Sequence, residues 1–135
     1  MNKSFLLAAA MILSACASQE RAATQDEEQA VRDYILVRGL EEVQKIRTSS
    51  NDGWEELDKH FIIYDTRRQA YLVEFRRACR ELSEARVKPD LRRDAKAIHA
   101  RFDTIRGCPI AKIYSLTETD LAELETLGES PGSRN

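Results

Sequence analysis

Three cysteines constrain this chain of 135 residues more than any other feature. Cys16 directly follows an apolar stretch near the N-terminus, whereas Cys79 and Cys108 lie in the body of the chain. In a small domain exported to an oxidising compartment, an even pair of cysteines predicts a disulfide. A bridge that closes a loop of roughly 30 residues would stabilise the fold by about 3–4 kcal/mol in the chain-entropy model.

Two alternatives for this pair stay open at the level of the sequence. Cys79 and Cys108 could join His60 and His99 in a zinc site, because all four side chains are of the types that bind zinc. None of them shows the close paired spacing of a zinc motif, so we expect the disulfide, no metal and no cofactor. Two free or redox-active thiols are the other interpretation.

The N-terminus predicts export and a lipid anchor. Lys3 precedes an apolar stretch from Phe5 to Leu13, which is too short for a membrane-spanning helix of about 20 residues but typical of a signal peptide. The sequence Leu13-Ser14-Ala15-Cys16 resembles the lipobox of bacterial lipoproteins. This resemblance implies that residues 1–15 are removed and that Cys16 is acylated. Since Ala17 follows it rather than Asp, we expect the outer membrane, on its periplasmic face.

Composition predicts one globular domain on a tether. Residues 16–29 are rich in Ala, Gln, Ser, Thr and Glu and contain no large apolar side chain, which indicates a flexible spacer. We expect a single domain over residues 30–127, because a chain of this size would split into halves too small to bury a core. Residues 128–135 should be disordered.

The hydrophobic pattern predicts an α+β, β-rich fold. Two β-rich runs at residues 60–64 and 70–75 indicate a hairpin, and residues 98–105 and 108–116 indicate a second pair around Arg106-Gly107. A closing helix is expected from Thr117 and Asp120 at its start to Gly128 at its end.

The remaining segments are less regular. Residues 76–85 fit a short helix or turn, and residues 26–47 fit two elements, helix or strand, that break at Gly39. The predicted architecture is a small antiparallel sheet or partly open barrel with peripheral helices and one disulfide.

Four short stretches carry a resemblance to a known family. They are Tyr71-Leu72-Val73-Glu74-Phe75, Cys79-Arg80-Glu81-Leu82, Asp103-Thr104-Ile105 and Cys108-Pro109-Ile110-Ala111-Lys112-Ile113-Tyr114. Over roughly Val31 to Leu116 the chain resembles a domain-of-unknown-function family of small, cysteine-paired Gram-negative envelope lipoproteins. The resemblance implies a β-rich, disulfide-linked envelope protein and assigns no activity to it.

Charge is unevenly distributed along the chain. Residues 67–112 hold 13 basic and 6 acidic side chains, whereas residues 16–66 hold 6 basic and 12 acidic ones. The basic middle predicts a surface for an anionic partner, with a solvated surface of internally balanced charge as the alternative. Nucleic acid is an unsuitable partner, given the expected compartment and a pI near 5.8. The residues predicted to form the surface are Arg67, Arg68, Arg76, Arg77, Arg80, Arg92 and Arg93.

No catalytic motif is found, so we expect that the protein is not an enzyme. His99 and Asp103 could form an acid–base pair, but four residues along a strand would separate them by roughly 13 Å. No serine lies in a nucleophile motif. Trp54 follows a turn and could anchor a partner, or instead close the mouth of the core.

These observations predict a lipid-anchored, non-enzymatic binding or accessory module at the cell envelope. The expected partners are the membrane, through the lipid on Cys16, and an envelope protein or an anionic glycolipid. One alternative is an inhibitor of an envelope-attacking hydrolase such as lysozyme, which would insert an exposed loop into the enzyme's cleft. Another is a periplasmic metal-binding protein or enzyme that uses His60, His99 or the cysteines. The sequence does not indicate an oligomeric state.

Overall fold

The computed structural model describes residues 16–82 and 96–128, with side chains from residue 25 onward. Within these ranges the chain forms a β-rich α+β fold with an antiparallel sheet, two α-helices and one disulfide, as predicted. The elements are α1 (Cys16–Arg38), β1 (Glu42–Val43), β2 (Lys45–Arg47), β3 (Gly53–Glu56), β4 (Phe61–Asp65), β5 (Ala70–Phe75), a short 3₁₀ turn (Arg80–Leu82), β6 (Ala97–His99), β7 (Thr104–Ile105), β8 (Cys108–Leu116) and α2 (Glu118–Gly128).

The main sheet is open and has strand order β1-β8-β5-β4-β3. β7 pairs with the start of β8, and β2 pairs with β6 in a separate two-stranded ribbon. All of these pairs are antiparallel. The order leaves β1 and β3 at the edges, so the sheet does not close into a barrel.

The predicted hairpin of β4 and β5 forms the middle of the sheet. Tyr64 pairs with Tyr71, and the loop between the strands is held by the Thr66 hydroxyl, which donates to the Gln69 carbonyl at 2.8 Å. The same hydroxyl accepts the backbone N–H of Gln69 at 3.1 Å. This polar loop therefore turns tightly at one end of two strands whose side chains are mostly buried.

Both faces of the sheet are covered, because successive side chains of a strand point to opposite faces. One face packs against the two helices through a cluster of Val31, Leu57, Phe61, Ile63, Ala70, Leu72, Tyr114, Leu116 and Leu124. The other face packs against the β2–β6 ribbon, β7 and the disulfide, through residues that include Ile46, Ile62, Val73, Phe75, Ile98 and Ile113. The hairpin strands therefore contribute side chains to two separate clusters.

The disulfide prediction is confirmed, because Cys79 and Cys108 are bonded to each other. Both cysteines are fully buried in the cluster on the ribbon side of the sheet. The bond ties the segment after β5 to the first residue of β8. The zinc-site alternative built on these thiols is thereby wrong, since neither sulfur remains available as a thiolate ligand.

The helix α1 differs from the flexible spacer expected over residues 16–29. It runs without interruption from Cys16 to Arg38, because Ala, Gln, Glu and Arg are good helix formers even without an apolar stripe. The break expected at Gly39 is confirmed: this residue has φ +60°, and β1 and β2 follow it. Gly39 thus ends the helix in a conformation that other residues adopt only with strain.

The strand expected over residues 98–105 is also wrong in its extent. β6 ends at His99, and Arg101 has φ +69°, which is incompatible with a continuous strand. A new short strand, β7, begins only at Thr104. The Arg106-Gly107 turn that follows is confirmed, with both residues at positive φ, and it leads into β8.

The closing helix α2 begins as predicted. The Thr117 hydroxyl accepts the backbone N–H of Asp120 at 3.2 Å, and an Asp120 oxygen accepts the backbone N–H of Thr117 at 3.0 Å, which is a reciprocal capping arrangement. The other oxygen of Asp120 accepts from the Tyr34 hydroxyl at 2.9 Å and from the Arg38 guanidinium at 3.3 Å. Asp120 therefore caps one helix and binds the other.

The predictions for the ends of the chain lie mostly outside the described residues. The signal peptide at residues 1–15 and the tail after Gly128 are not described, and Arg92 and Arg93 fall in the undescribed range 83–95. Among the described residues, no helix is long and apolar enough to span a membrane.

Candidate functional site

A basic pocket of about 550 Å³ lies beside the loop between β4 and β5. The hairpin loop forms one wall, and β2 with the segment that follows it forms the other. We call it the cationic pocket, because its lining includes four basic side chains: Lys45, Arg47, Arg67 and Arg68.

Local structure explains how the four cations come together. On β2 the side chain of Ile46 is buried, so the alternation of the strand exposes its neighbours Lys45 and Arg47. Arg67 and Arg68 are the exposed middle residues of the tight hairpin loop. The four charges thus come from two segments that are separated by about 20 residues in the sequence.

The pocket also contains one acidic side chain, Asp52, whose oxygens are engaged by protein donors. They accept the backbone N–H of Ser49 at 2.7 Å, its hydroxyl at 2.6 Å and the hydroxyl of Tyr64 at 3.0 Å. No ion pair joins any of the four cations to another described residue. The pocket therefore presents an excess of positive charge that an anion would balance.

The structure separates the arginines that were predicted to form one basic surface. Arg67 and Arg68 line the cationic pocket, whereas Arg76, Arg77 and Arg80 follow the opposite end of β5, about 20 Å away along the strand. Two of these arginines have local partners. Arg76 donates to the carbonyl oxygen of Arg101 at 2.8 Å, and Arg77 pairs with Glu81 at 2.8 Å. The arginines are therefore not one continuous surface.

The sequence interpretation missed Lys45 and Arg47. They belong to a segment that is acidic overall, and only the alternation Lys-Ile-Arg signals that both face the same way. Their meeting with Arg67 and Arg68 depends on the tertiary fold rather than on any local pattern.

Trp54 lies on the edge strand β3, opposite Tyr64. Its side chain is half-buried and packs against the cluster on the ribbon side of the sheet. It is not among the residues that line the cationic pocket. Trp54 thus contributes to the core, and its use as a partner anchor stays a prediction.

The two histidines lie in different places, and each contacts a carboxylate. His99 Nδ1 lies 3.1 Å from Asp103 Oδ2, so the expected separation of roughly 13 Å is wrong. The contact arises because β6 ends at His99 and the chain turns at Arg101. Hydrogen bonds from the backbone and side chain of His99 lower the pKa of Asp103. The pair is half-exposed and borders no described pocket.

His60 belongs to a second polar cluster, between α1 and the turn that precedes β4. Its Nδ1 lies 3.1 Å from Glu28 Oε2, and Asp58 adds a carboxylate oxygen to a group in which one potential ligand atom of each residue lies within 4.8 Å of the others. Burial raises the pKa of Asp58, against the opposing effect of the backbone N–H groups of His60 and Phe61. This cluster lies at the start of β4, whereas the cationic pocket lies beyond its end.

Comparison with known proteins assigns the chain to a family. The chain matches a family of unknown function, DUF6491, over residues 1–130, and it belongs to that family. No curated protein and no solved structure matches it. The family match carries no activity, so any function has to be argued from the geometry of the chain itself.

Proposed function

We propose that this protein is a lipid-anchored, non-enzymatic binding module on the periplasmic face of the outer membrane. Its cationic pocket would take the phosphorylated head group of an anionic glycolipid. The proposed location rests on the stretch that resembles a signal peptide and on the residues ending at Cys16 that resemble a lipobox. The choice of an anionic ligand rests on one observation. Four basic side chains line the pocket, and none of them forms an ion pair with another described residue.

The pocket suits a phosphate better than an uncharged ligand. Guanidinium groups bind phosphate oxygens with paired hydrogen bonds, and an ammonium group adds a compact charge. A volume of about 550 Å³ is in the range of small-molecule sites and is large enough for a sugar with its phosphate. A membrane anchor would keep the pocket near lipid head groups.

The proposal is tested by calorimetric titration of a soluble phosphorylated disaccharide into the full-length, detergent-solubilised protein. We expect binding that weakens as salt is added, and little or no binding of the unphosphorylated disaccharide. The double variant R67Q/R68Q should bind at least about 100-fold more weakly, because it removes two charged hydrogen bonds that each contribute about 1.5–3 kcal/mol.

The matched control is R76Q/R77Q, which removes an adjacent arginine pair at the opposite end of β5. It changes the net charge by the same amount, so we expect affinity close to that of the unmodified protein. Equal affinity for the disaccharide with and without phosphate would contradict the proposal, as would a loss confined to R76Q/R77Q. If only acidic proteins compete for the pocket, the ligand is a protein partner and the glycolipid assignment is wrong.

A further inference from the structure

The second polar cluster has the composition of a metal site. Glu28 lies on α1, and Asp58 and His60 lie in the turn between β3 and β4. Each offers one potential ligand atom, and these three atoms all lie within 4.8 Å of one another. Glu28 lies far from Asp58 and His60 in the sequence, so no local spacing indicates that the two carboxylates and the imidazole form a cluster.

Asp58 provides an observation that points to a missing ligand. The residue is only 6% exposed, and its Oδ1 accepts the backbone N–H groups of His60 at 2.6 Å and Phe61 at 2.8 Å. Its Oδ2 is buried and has no hydrogen-bond partner among the described residues. A buried polar atom without a partner costs about 1–3 kcal/mol, and more when it is charged. Backbone donors thus fix one oxygen of the carboxylate, whereas the other oxygen is available to a bound ligand.

Glu28 is oriented in a similar way. Its Oε1 accepts two hydrogen bonds from the Arg32 guanidinium, at 3.0 and 2.9 Å, while Oε2 faces His60. Arg32 is itself fixed by an ion pair with Glu74 at 2.6 Å and by its position over the ring of Phe61. Such outer partners are what orient a carboxylate that binds a metal.

The distance between His60 and Glu28 fits two ligands of one ion. Zinc binds imidazole nitrogen at about 2.0–2.1 Å and carboxylate oxygen at about 2.0–2.2 Å, so two such ligands lie roughly 2.8–3.5 Å apart at ligand–metal–ligand angles of about 90–110°. The observed separation between Nδ1 and Oε2 is 3.1 Å. We propose that Glu28, Asp58 and His60 bind a divalent transition-metal ion, with zinc as the best match.

The chemistry of the donors narrows the type of ion. Imidazole favours zinc and other transition metals over magnesium and calcium, which prefer oxygen ligands alone. Two carboxylates would balance the charge of a divalent ion in this partly buried position. Glu28 and His60 keep about a quarter of their side-chain surface exposed, so a bound ion would have room for water at its remaining positions.

The site would also join two parts of the fold. Glu28 belongs to the helix that covers one face of the sheet, whereas Asp58 and His60 belong to the sheet's own connection. An ion bound to all three would stabilise the packed helix, because it binds the folded state and not the separated parts. This inference is independent of the cationic pocket and departs from the expectation of a metal-free protein.

The test uses the purified full-length protein and zinc chloride alone. Calorimetry should show a single zinc ion bound per chain, and zinc should raise the thermal unfolding midpoint, whereas magnesium at the same concentration should not. The variants H60Q and E28Q should bind zinc at least about tenfold more weakly and should lose the rise in midpoint. D58N keeps the Oδ1 acceptor and the side-chain shape while replacing Oδ2, so it should also weaken binding.

The control variant is H99Q. The His99–Asp103 pair has the same 3.1 Å separation as His60–Glu28 but belongs to no described cluster of three metal ligands. We expect H99Q to bind zinc like the unmodified protein. Absence of zinc binding in the unmodified protein would overturn the proposal and leave His60–Glu28 as an ordinary hydrogen bond. Zinc binding that survives in H60Q and E28Q, or disappears in H99Q, would overturn it equally.

Discussion

Asp120 carries two structural roles in one carboxylate. One oxygen caps the first turn of α2 through Thr117, and the other binds Tyr34 and Arg38 of α1. Burial would raise the pKa of Asp120, but the hydrogen bonds from Thr117, Tyr34 and Arg38 lower it to about 2. The same contact affects Tyr34, whose pKa is raised by burial and by its hydrogen bonds to Glu123 and Asp120.

This lowered pKa predicts a loss of stability in acid. The ionised carboxylate of Asp120 stabilises the folded state fully above its ordinary pKa, and the contribution disappears as the pH falls from about 5 towards 2. We expect the native protein to lose about 2 kcal/mol from this group over that range. Urea unfolding of D120N should show a flatter dependence on pH and lower stability at neutral pH. E125Q, at an exposed position of the same helix, serves as the control and should follow the native curve.

The sequence predicted the cap that Thr117 and Asp120 form, but not the contact between Asp120 and α1. Thr117 and Asp120 are three residues apart, so the cap is a local pattern that can be recognised without the fold. The contact with Tyr34 joins residues 86 positions apart, and nothing near either residue indicates the other. Similarly, the contact between His99 and Asp103 requires the turn at Arg101, which an alternating apolar pattern conceals.

At the scale of elements, α1 is stabilised by tertiary packing on one side only. Val31 is 2% exposed and belongs to the cluster on the helix side of the sheet, whereas Val37 on the same helix is 84% exposed. The polar character of the helix follows from this one-sided packing. Most of its stability has to come from the few apolar side chains that reach the sheet.

This contrast predicts different effects for the same substitution at two positions. V31A should lower the free energy of unfolding by about 1–3 kcal/mol, because it removes buried methyl groups and leaves a cavity. V37A should change it by less than about 0.5 kcal/mol, since a side chain in solvent loses little on truncation. Chemical denaturation of both variants measures the two values. Equal destabilisation would mean that α1 does not pack on the sheet through Val31.

Elements with strong local signals were predictable, and those with weak signals were not. The β4–β5 hairpin, β8 and α2 combine β-rich or apolar runs with turn and cap residues, so several signals agree. Residues 16–29 lack apolar periodicity and were expected to be a spacer, although their composition favours a helix. The expected strand over 98–105 failed because the positive φ of Arg101 is not indicated by its residue type.

On the scale of the whole molecule, the two candidate sites lie at opposite ends of the central hairpin. The cationic pocket is beside the loop after β4, and the cluster of Glu28, Asp58 and His60 is at the start of β4. Arg67 and Arg68 were foreseen as basic candidates, because charge runs are visible in the sequence. The pocket itself was not, since it forms only when β2 and the hairpin loop meet.

The proposed anchor predicts a definite covalent state for the molecule. Intact-mass measurement on protein extracted from its native membrane should find a chain that begins at Cys16 and carries added acyl mass. Reduction should add about 2 Da as the Cys79–Cys108 bond opens into two thiols. The variant C16S should leave the membrane fraction. An unlipidated mass for the unmodified protein would contradict the anchor, while the disulfide would be judged separately by the change on reduction.

The place of β8 in the sheet has a consequence for the order in which the chain folds. This strand pairs with β1, β5 and β7, yet among the elements of the described residues only α2 follows it in the sequence. The strands before β8 cannot complete the sheet until β8 pairs with them, and Cys79 cannot form its disulfide before Cys108 is present. Because its pairings with β1 and β5 join residues far apart in the sequence, we expect folding to be slow. A chain in which β8 has not yet paired therefore has an incomplete sheet and no Cys79–Cys108 bond.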